Sequence, residues 1–359
     1  MKVGIVTITE LENFGNRLQN YALQSVLREM GAEVETLPNY ITHRHRHNLR
    51  SKANRYLRGL VLHNGLKAEV VKQLRFEAFD RRYFRFSRDC SEIGFISPEA
   101  GGRYDCFVAG SDQIWNPHFS FNFDFNFLAF APREKRVAYA ASFGVDAVPE
   151  EKQERFAAYL NGMRAVSTRE FTGSDIVRAL TGTACPVLPD PTLLLTPAQW
   201  QSLEKKPRWH SAENYILVYH LGTKENQQSV VGQLLDAHPE YRGCGIVNIG
   251  DRENVRAFSI TPDEFLYLLH HAKLMVTDSF HGTVFSLLFG TPVYYTKRVD
   301  NYVSMNSRVQ SLFAMLDITP TGDIIDCHVT DREKFESALA AQRQRGLDYL
   351  RENVVDYFG

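Results

Sequence analysis

The 359-residue sequence predicts an α/β protein of two Rossmann-like β/α domains facing each other across a cleft, residues 1–190 and 191–359. Three observations lead there. The chain exceeds the length at which one core usually keeps growing. Strand and helix patterns alternate along it, the order of a parallel sheet. That alternation breaks off near the middle and then restarts.

Residues 3–9 read as a strand, and NFGNRLQNYALQSVLREMG after them as an amphipathic helix with Leu18, Tyr21, Ala22, Val26 and Leu27 inward and Gly31 as its stop. Residues 34–37 are the second strand and complete a β-α-β unit. The stretch 43–88 carries 13 Lys or Arg against three acidic residues, although the whole chain has a net charge of only −1. Val70, Leu74 and Ala78 have helical spacing, so a basic helical insertion at the sheet edge is expected there. YDCFVAG (104–110) and RVAYAASFG (136–144) read as buried strands. FSFNFDFNF (119–127) alternates like a strand with one apolar face, with an aromatic platform for a sugar as the functional alternative. EEKQERFAAYLNGM is a helix, and AVSTRE another strand and turn.

CPVLPDPTLLLTPAQW carries four prolines and leads into the charged EKKPRWHSAEN, which marks the crossing between domains. Beyond it come a strand, YILVYHLG, a helix at 227–237, a strand, GIVNIG, and the helix TPDEFLYLLHHA with Thr261 as cap. VTDSFHGTVFSLLFGTP (276–292) then reads as strand end, polar turn, buried helix and second strand. Ser279 or Thr283 caps that helix. Gly282 allows a close approach to the backbone, and Gly290 ends the helix. A final helix, 331–353, is expected to pack across one domain.

Turns at the carboxyl ends of parallel strands are where ligands bind, and a helix N-terminus favours an anion. The turns here hold Asn16 and Gln19; Ser111, Asp112 and Gln113; Ser142; Arg169 and Glu170; His220; and Asp278, Ser279, His281 and Lys297. No G-x-G-x-x-G follows the first strand, and P-loop, G-x-S-x-G and H-E-x-x-H motifs are absent. HRHRH (43–47) has no carboxylate near it in sequence and reads as a solvated or anion-facing run, so no metal site is expected. Five scattered cysteines fit reduced thiols. The N-terminus lacks a signal-peptide pattern, and no run approaches the roughly 18 apolar residues of a membrane span. A cytoplasmic protein is expected.

NFGNRLQNYALQ, AGSDQIWNP, YAASFG, STRE, DPTLLL and VTDSFHGTVFSLLFGTPV, in this order, resemble the polysaccharide pyruvyl transferase family over about residues 3–317. The resemblance implies a fold like that of GT-B glycosyltransferases, phosphoenolpyruvate as donor and a sugar hydroxyl pair as acceptor, giving a cyclic pyruvate ketal. It implies no cofactor and no nucleic acid. The chemistry of ketal formation needs a general acid and a general base, and His281, Asp278 and Asp112 are the catalytic candidates. Ser279, Gly282, Thr283, Arg169, Lys297 and Arg308 are the donor-binding ones, and Asn16, Gln19, Ser111, Gln113, Ser142 and His220 line the cleft towards the acceptor. Well-studied members carry a donor-binding Arg two residues before this His. Ser279 stands there instead, which leaves Arg169, Lys297, Arg308 and, from the opposite wall, Arg17 to supply positive charge. The implied acceptor is a glycan or lipid-linked oligosaccharide, and the basic segment suits peripheral contact with the inner face of the membrane. A GT-B-type enzyme using a nucleotide sugar and a non-catalytic glycan-binding relative are the alternatives.

Overall fold

The computed structural model describes residues 1–9, 13–39, 64–90, 95–119, 123–221, 224–296, 306–320, 322–326 and 332–358. Arg44, Arg46, Arg50, Arg55, the HRHRH run and Lys297 lie outside them.

The N-terminal half is built on a parallel sheet of β1 (Lys2–Val6), β2 (Glu33–Leu37), β3 (Cys106–Ala109) and β4 (Arg136–Ala138), in the order β2-β1-β3-β4. The C-terminal half has β5 (Tyr215–Tyr219), β6 (Gly245–Asn248), β7 (Leu274–Thr277), β8 (Val293–Tyr295) and β9 (Ile324–Ile325), in the order β6-β5-β7-β8-β9. Only β9 runs antiparallel. Each half is thus a Rossmann-like β/α unit.

The longer helices among the described residues are α1 (Phe14–Glu29), α2 (Asn64–Tyr83), α3 (Glu150–Asn161), α4 (Phe171–Thr181), α5 (Lys224–Ala237), α6 (Pro262–His270), α7 (Phe280–Phe289), α8 (Asn306–Met315) and α9 (Arg332–Leu350). Thr261 caps α6 in a capping box with Glu264. Glycines in the left-handed region follow α1 and α7, Gly31 at φ 94° and Gly290 at φ 72°. No helix among the described residues is long and apolar enough to cross a membrane.

One core runs through both halves, from Val3, Ile5 and Leu18 to Tyr219, Phe265 and Val284. Phe14 is its hinge pin: fully buried, it stacks on Phe265 with centroids 4.8 Å apart and meets the edge of Tyr219 at 5.3 Å.

Several expectations need correction. The strand read over 136–144 stops at Ala138, because Ala140 adopts φ 48° and leaves the ladder. The Ser167 hydroxyl repairs the break, accepting from Ala140 N and donating to Ala138 O, both at 2.9 Å. The sheet continues only through isolated bridges, Ala141 to Thr168 and Thr168 to Val187. Within FSFNFDFNF, Phe123–Asn126 is a helical turn, not a strand. Phe125 and Phe127 are core, and Phe127 stacks on Trp115 and Tyr159, each at 4.8 Å. The face of α2 is also different. Leu74 is 44% exposed and Ala78 is exposed, whereas Lys72, Phe76, Phe79 and Asp80 are buried. The Lys72 ammonium lies 4.3 Å from the centroid of the Phe258 ring and 5.2 Å from that of Phe14, so its stem counts as apolar surface. Finally, α9 returns to the N-terminal half. Tyr349 Oη donates to Ala138 O at 2.9 Å, and Arg345 to Val187 O at 3.3 Å.

Candidate active site

The polar turns at the strand ends converge on one buried carboxylate, Asp190, of the DPTLLL stretch. It is wholly buried and caps the short 3-10 helix Pro191–Leu193, with Oδ1 accepting from Thr192 N at 3.0 Å and Thr192 Oγ1 at 2.8 Å. Its other oxygen accepts from Ser111 Oγ at 2.8 Å and Arg169 Nη1 at 2.6 Å. His281 Nε2 lies 3.4 Å from that same oxygen. Burial alone would raise the Asp190 carboxyl. His281, Arg169 and the Thr192 amide outweigh it and hold the group well below the usual carboxylate range.

Each arm comes from a different turn. Ser111 and Asp112 follow β3, Arg169 follows the irregular strand after α3, and His281 opens α7 behind β7. Arg169 is fully buried, with Nη2 3.8 Å from Asp112 Oδ1 and its guanidinium carbon 4.3 Å from the centroid of the Phe280 ring. Burial disfavours its charge, but Asp190, Asp112 and Glu170 more than compensate and hold its pKa above the ordinary value. The guanidinium carbon of Arg308, on α8, lies 5.9 Å from the centroid of the Phe280 ring. With the Gln113 amide turned to satisfy both groups, its oxygen accepts from Arg308 Nη1 and Nη2 at 3.2 Å. Burial first, and Arg169 second, push Arg308 down to about 10. Two guanidiniums therefore lie near Phe280, next to the position where Ser279 replaces the expected Arg.

The NFGNR stretch explains itself here. Asn13 caps α1 through Asn16 N, and Phe14 docks in the shared core. A Cβ on Gly15 would lie 2.0 Å from His281 Nδ1, so only glycine lets α1 pass the imidazole. Gly15→Ala should therefore push His281 away from Asp190, lowering turnover at least tenfold. Overpacking of this kind costs about 1–3 kcal/mol. Parallel kinetics and chemical denaturation check it, and wild-type turnover in the variant would show that the ring has room to move. Arg17 does not reach in from the opposite wall: its Nε pairs with Asp80 of α2 at 2.7 Å.

Among the remaining expected residues, Ser279 caps α7, accepting from Gly282 N at 3.3 Å, while Thr283 Oγ1 donates to Ser279 O at 3.1 Å. Gly282 packs closely on the strand end, where a Cβ would meet Thr277 Oγ1 at 2.7 Å. Asp278 Oδ1 accepts from Leu221 N at 2.7 Å, and His220 Nε2 lies 3.1 Å from Thr296 Oγ1. Burial lowers the His220 pKa against the opposing pull of Asp278. Ser142 Oγ donates to Glu170 Oε1 at 3.0 Å, and Gln19 Nε2 to Thr7 Oγ1 at 2.8 Å. Asn16, 3% exposed, completes the first turn of α1. Asp112 holds φ 78°, a left-handed conformation uncommon outside glycine and kept at sites that constrain it.

Asp190 was not among the expected site residues, although its motif was. The carboxylate sits in a proline-rich run that reads as a connection, and only the fold brings it to His281.

Comparison with solved structures finds a UDP-GlcNAc 2-epimerase from Methanocaldococcus jannaschii at 13% identity and TM-score 0.46, covering 95% of this chain and 92% of that one. A UDP-GlcNAc 2-epimerase from Neisseria meningitidis aligns at 10% identity and TM-score 0.43, over 100% and 93% of the two chains. An α-glucosyltransferase aligns at 9% identity and TM-score 0.49, over 100% and 95%. No match is found among curated protein sequences. The family model for polysaccharide pyruvyl transferase matches residues 13–297, from the α1 cap to just past β8. That span contains Gly15, Ser111, Arg169, Asp190 and His281, so the chain belongs to the polysaccharide pyruvyl transferase family and is an enzyme of that transferase class.

Proposed function

We propose that the protein transfers the pyruvyl group of phosphoenolpyruvate to two hydroxyls of a sugar in a polysaccharide or its lipid-linked precursor, releasing phosphate. The observation that carries this reading is the meeting of Arg169, Arg308 and His281 around Phe280 at the start of α7. A donor with a phosphate and a carboxylate needs several cations, and guanidiniums pair with both groups in bidentate fashion. The helix N-terminus adds partial positive charge.

The chemistry assigns work to the rest. The first hydroxyl attacks the substituted carbon of the enol phosphate while the methylene carbon gains a proton. The C–O bond to phosphate then breaks, and the second hydroxyl closes the ketal. The two hydroxyl protons end on the methylene carbon and on phosphate. His281 carries a proton to the donor, and Asp190 holds His281 and Arg169 in register. Asp112 or Asp278 serves as base towards the sugar. Lys297, outside the described residues, remains a donor-binding candidate.

Ser279→Arg, which introduces the family's more usual residue, removes the α7 cap. It should cost about 0.5–2 kcal/mol. It should also leave donor affinity unchanged or tighter, because the added guanidinium joins two already there; a melt and a donor titration check this. Donor abolished by the substitution would mean that Ser279 itself sits against the donor.

The decisive assay incubates the protein with phosphoenolpyruvate and candidate acceptors and looks by mass spectrometry for a pyruvyl-sized gain with phosphate release. Sugar transfer from a nucleotide sugar, with no reaction of phosphoenolpyruvate, would overturn the donor assignment. The basic segment 43–88 supports docking of the enzyme on the inner membrane face, where a lipid-linked acceptor is held. Flotation with anionic vesicles should show binding at low salt that weakens at high salt. No association at low salt would remove the membrane from this reading.

A further inference from the structure

The TPDEFLYLLHHA helix ends in two adjacent histidines, which the proposed transfer chemistry does not use. His270 closes α6, and His271 is its C-cap. Glu204, from the charged stretch after the proline-rich crossing, faces both. Its Oε1 lies 2.7 Å from His270 Nδ1, and its Oε2 lies 3.9 Å from His271 Nδ1. One donor atom from each of the three side chains falls within 4.8 Å of the other two.

We propose that Glu204, His270 and His271 form a zinc site before the amino end of β7, the end of that strand opposite His281. Zn–N and Zn–O bonds of about 2.0–2.2 Å put tetrahedral ligands about 3.4 Å apart. The His270–Glu204 contact has to open a little and the His271–Glu204 contact to close a little, both by side-chain rotation. Zinc replaces the proton shared between His270 and Glu204, and that proton goes to solvent.

The surroundings favour this. His270 stacks on Phe289 at 4.7 Å and His271 stacks on Tyr267 at 4.1 Å, while the contact of His271 Nδ1 with Tyr267 O, 2.9 Å, has to give way to the metal. The two rings are held on one side of the helix end before any metal arrives. A helix C-terminus also favours positive charge. The Glu204 side chain is only 10% exposed, so a cation here offsets the cost of burying its charge. His271 is 45% exposed, which leaves an entry path and a position for water.

The place in the fold sets the site apart from the proposed transfer chemistry. α6 leads into the start of β7, whereas His281 follows its end, and a four-residue strand separates them by about 13 Å. The metal joins the connection after the crossing to the helix that feeds the active-site strand.

The test uses untagged, EDTA-stripped protein dialysed against zinc chloride, with zinc per chain measured by mass spectrometry and melting followed by circular dichroism. One zinc per chain and a melting point several degrees higher are expected. Glu204→Gln and, separately, His271→Ala should lose both, each retaining the wild-type zinc-free spectrum. A chain with His43, His45 and His47 changed to Asn should keep both. Uptake that is substoichiometric, undiminished in Glu204→Gln and His271→Ala, or abolished by the change at 43–47 would overturn the proposal.

Discussion

Asp190→Ala is expected to be the most damaging single substitution in the protein, lowering stability by about 3–5 kcal/mol and abolishing turnover. The reason is the company the carboxylate keeps. Arg169 is fully buried, and its shortest polar contact is to Asp190 at 2.6 Å. Removing one partner of a buried pair leaves the other charge desolvated and uncompensated, which costs far more than the pair contributes net. Asp112, at 3.8 Å, is too far from Arg169 to replace it. Asp190→Asn separates shape from charge: the amide oxygen can still accept from Thr192 N, so its stability loss should be smaller, while His281 and Arg169 lose the anion between them and turnover still falls. Urea denaturation of both variants checks the order. Equal stability of Asp190→Ala and wild type would mean that Arg169 finds water or another anion.

The same carboxylate gives a pH signature. Its folded pKa is depressed, so its contribution is fully present above the ordinary carboxylate value of about 3.9 and is lost as pH falls towards the folded pKa. Wild-type stability should therefore fall on acidification below about pH 4, and the Asp190→Asn curve should be flatter there. Parallel curves would indicate that other carboxylates dominate the acid limb.

What the sequence made legible follows from what each signal measures. The caps at Ser279 and Thr261 and the stops at Gly31 and Gly290 are local, and the structure has them. His281, Arg169 and Ser111 were legible because a polar side chain in a strand-end turn is visible one turn at a time. Asp190 was not, since its meaning depends on three turns meeting, and a proline-rich neighbourhood reads as a connection. The face of α2 was misassigned for another reason. Counting aliphatic residues selects Val70, Leu74 and Ala78, but the helix is held by Asp80 to Arg17, Arg75 to Glu264 and Lys72 among aromatic rings. Charged residues that pair with another helix leave no trace in hydrophobic periodicity. Part of the excess charge of the basic segment thus lies inside the fold, while Arg81, Arg82, Arg85 and Arg88 stay exposed.

His281→Ala should separate chemistry from stability. The imidazole is buried, yet its neighbours survive its loss: Asp190 keeps Arg169, Ser111 and Thr192, and the cap of α7 belongs to Ser279. The fold should lose little, and the melting point should stay close to that of wild type. Turnover should fall by about 10² or more, the usual scale for losing a proton carrier or a charge stabiliser. The fall should appear in kcat more than in KM, because Arg169 and Arg308 remain to bind the donor. His281→Gln adds a second measurement: an amide can hydrogen-bond Asp190 but does not carry a proton at neutral pH, so it should restore packing without restoring rate. A kcat rescued by Gln would assign His281 to holding geometry, and a melting point lowered in proportion to activity would make it a structural turn residue. Retained kcat with a raised KM would move it from the chemistry to donor binding.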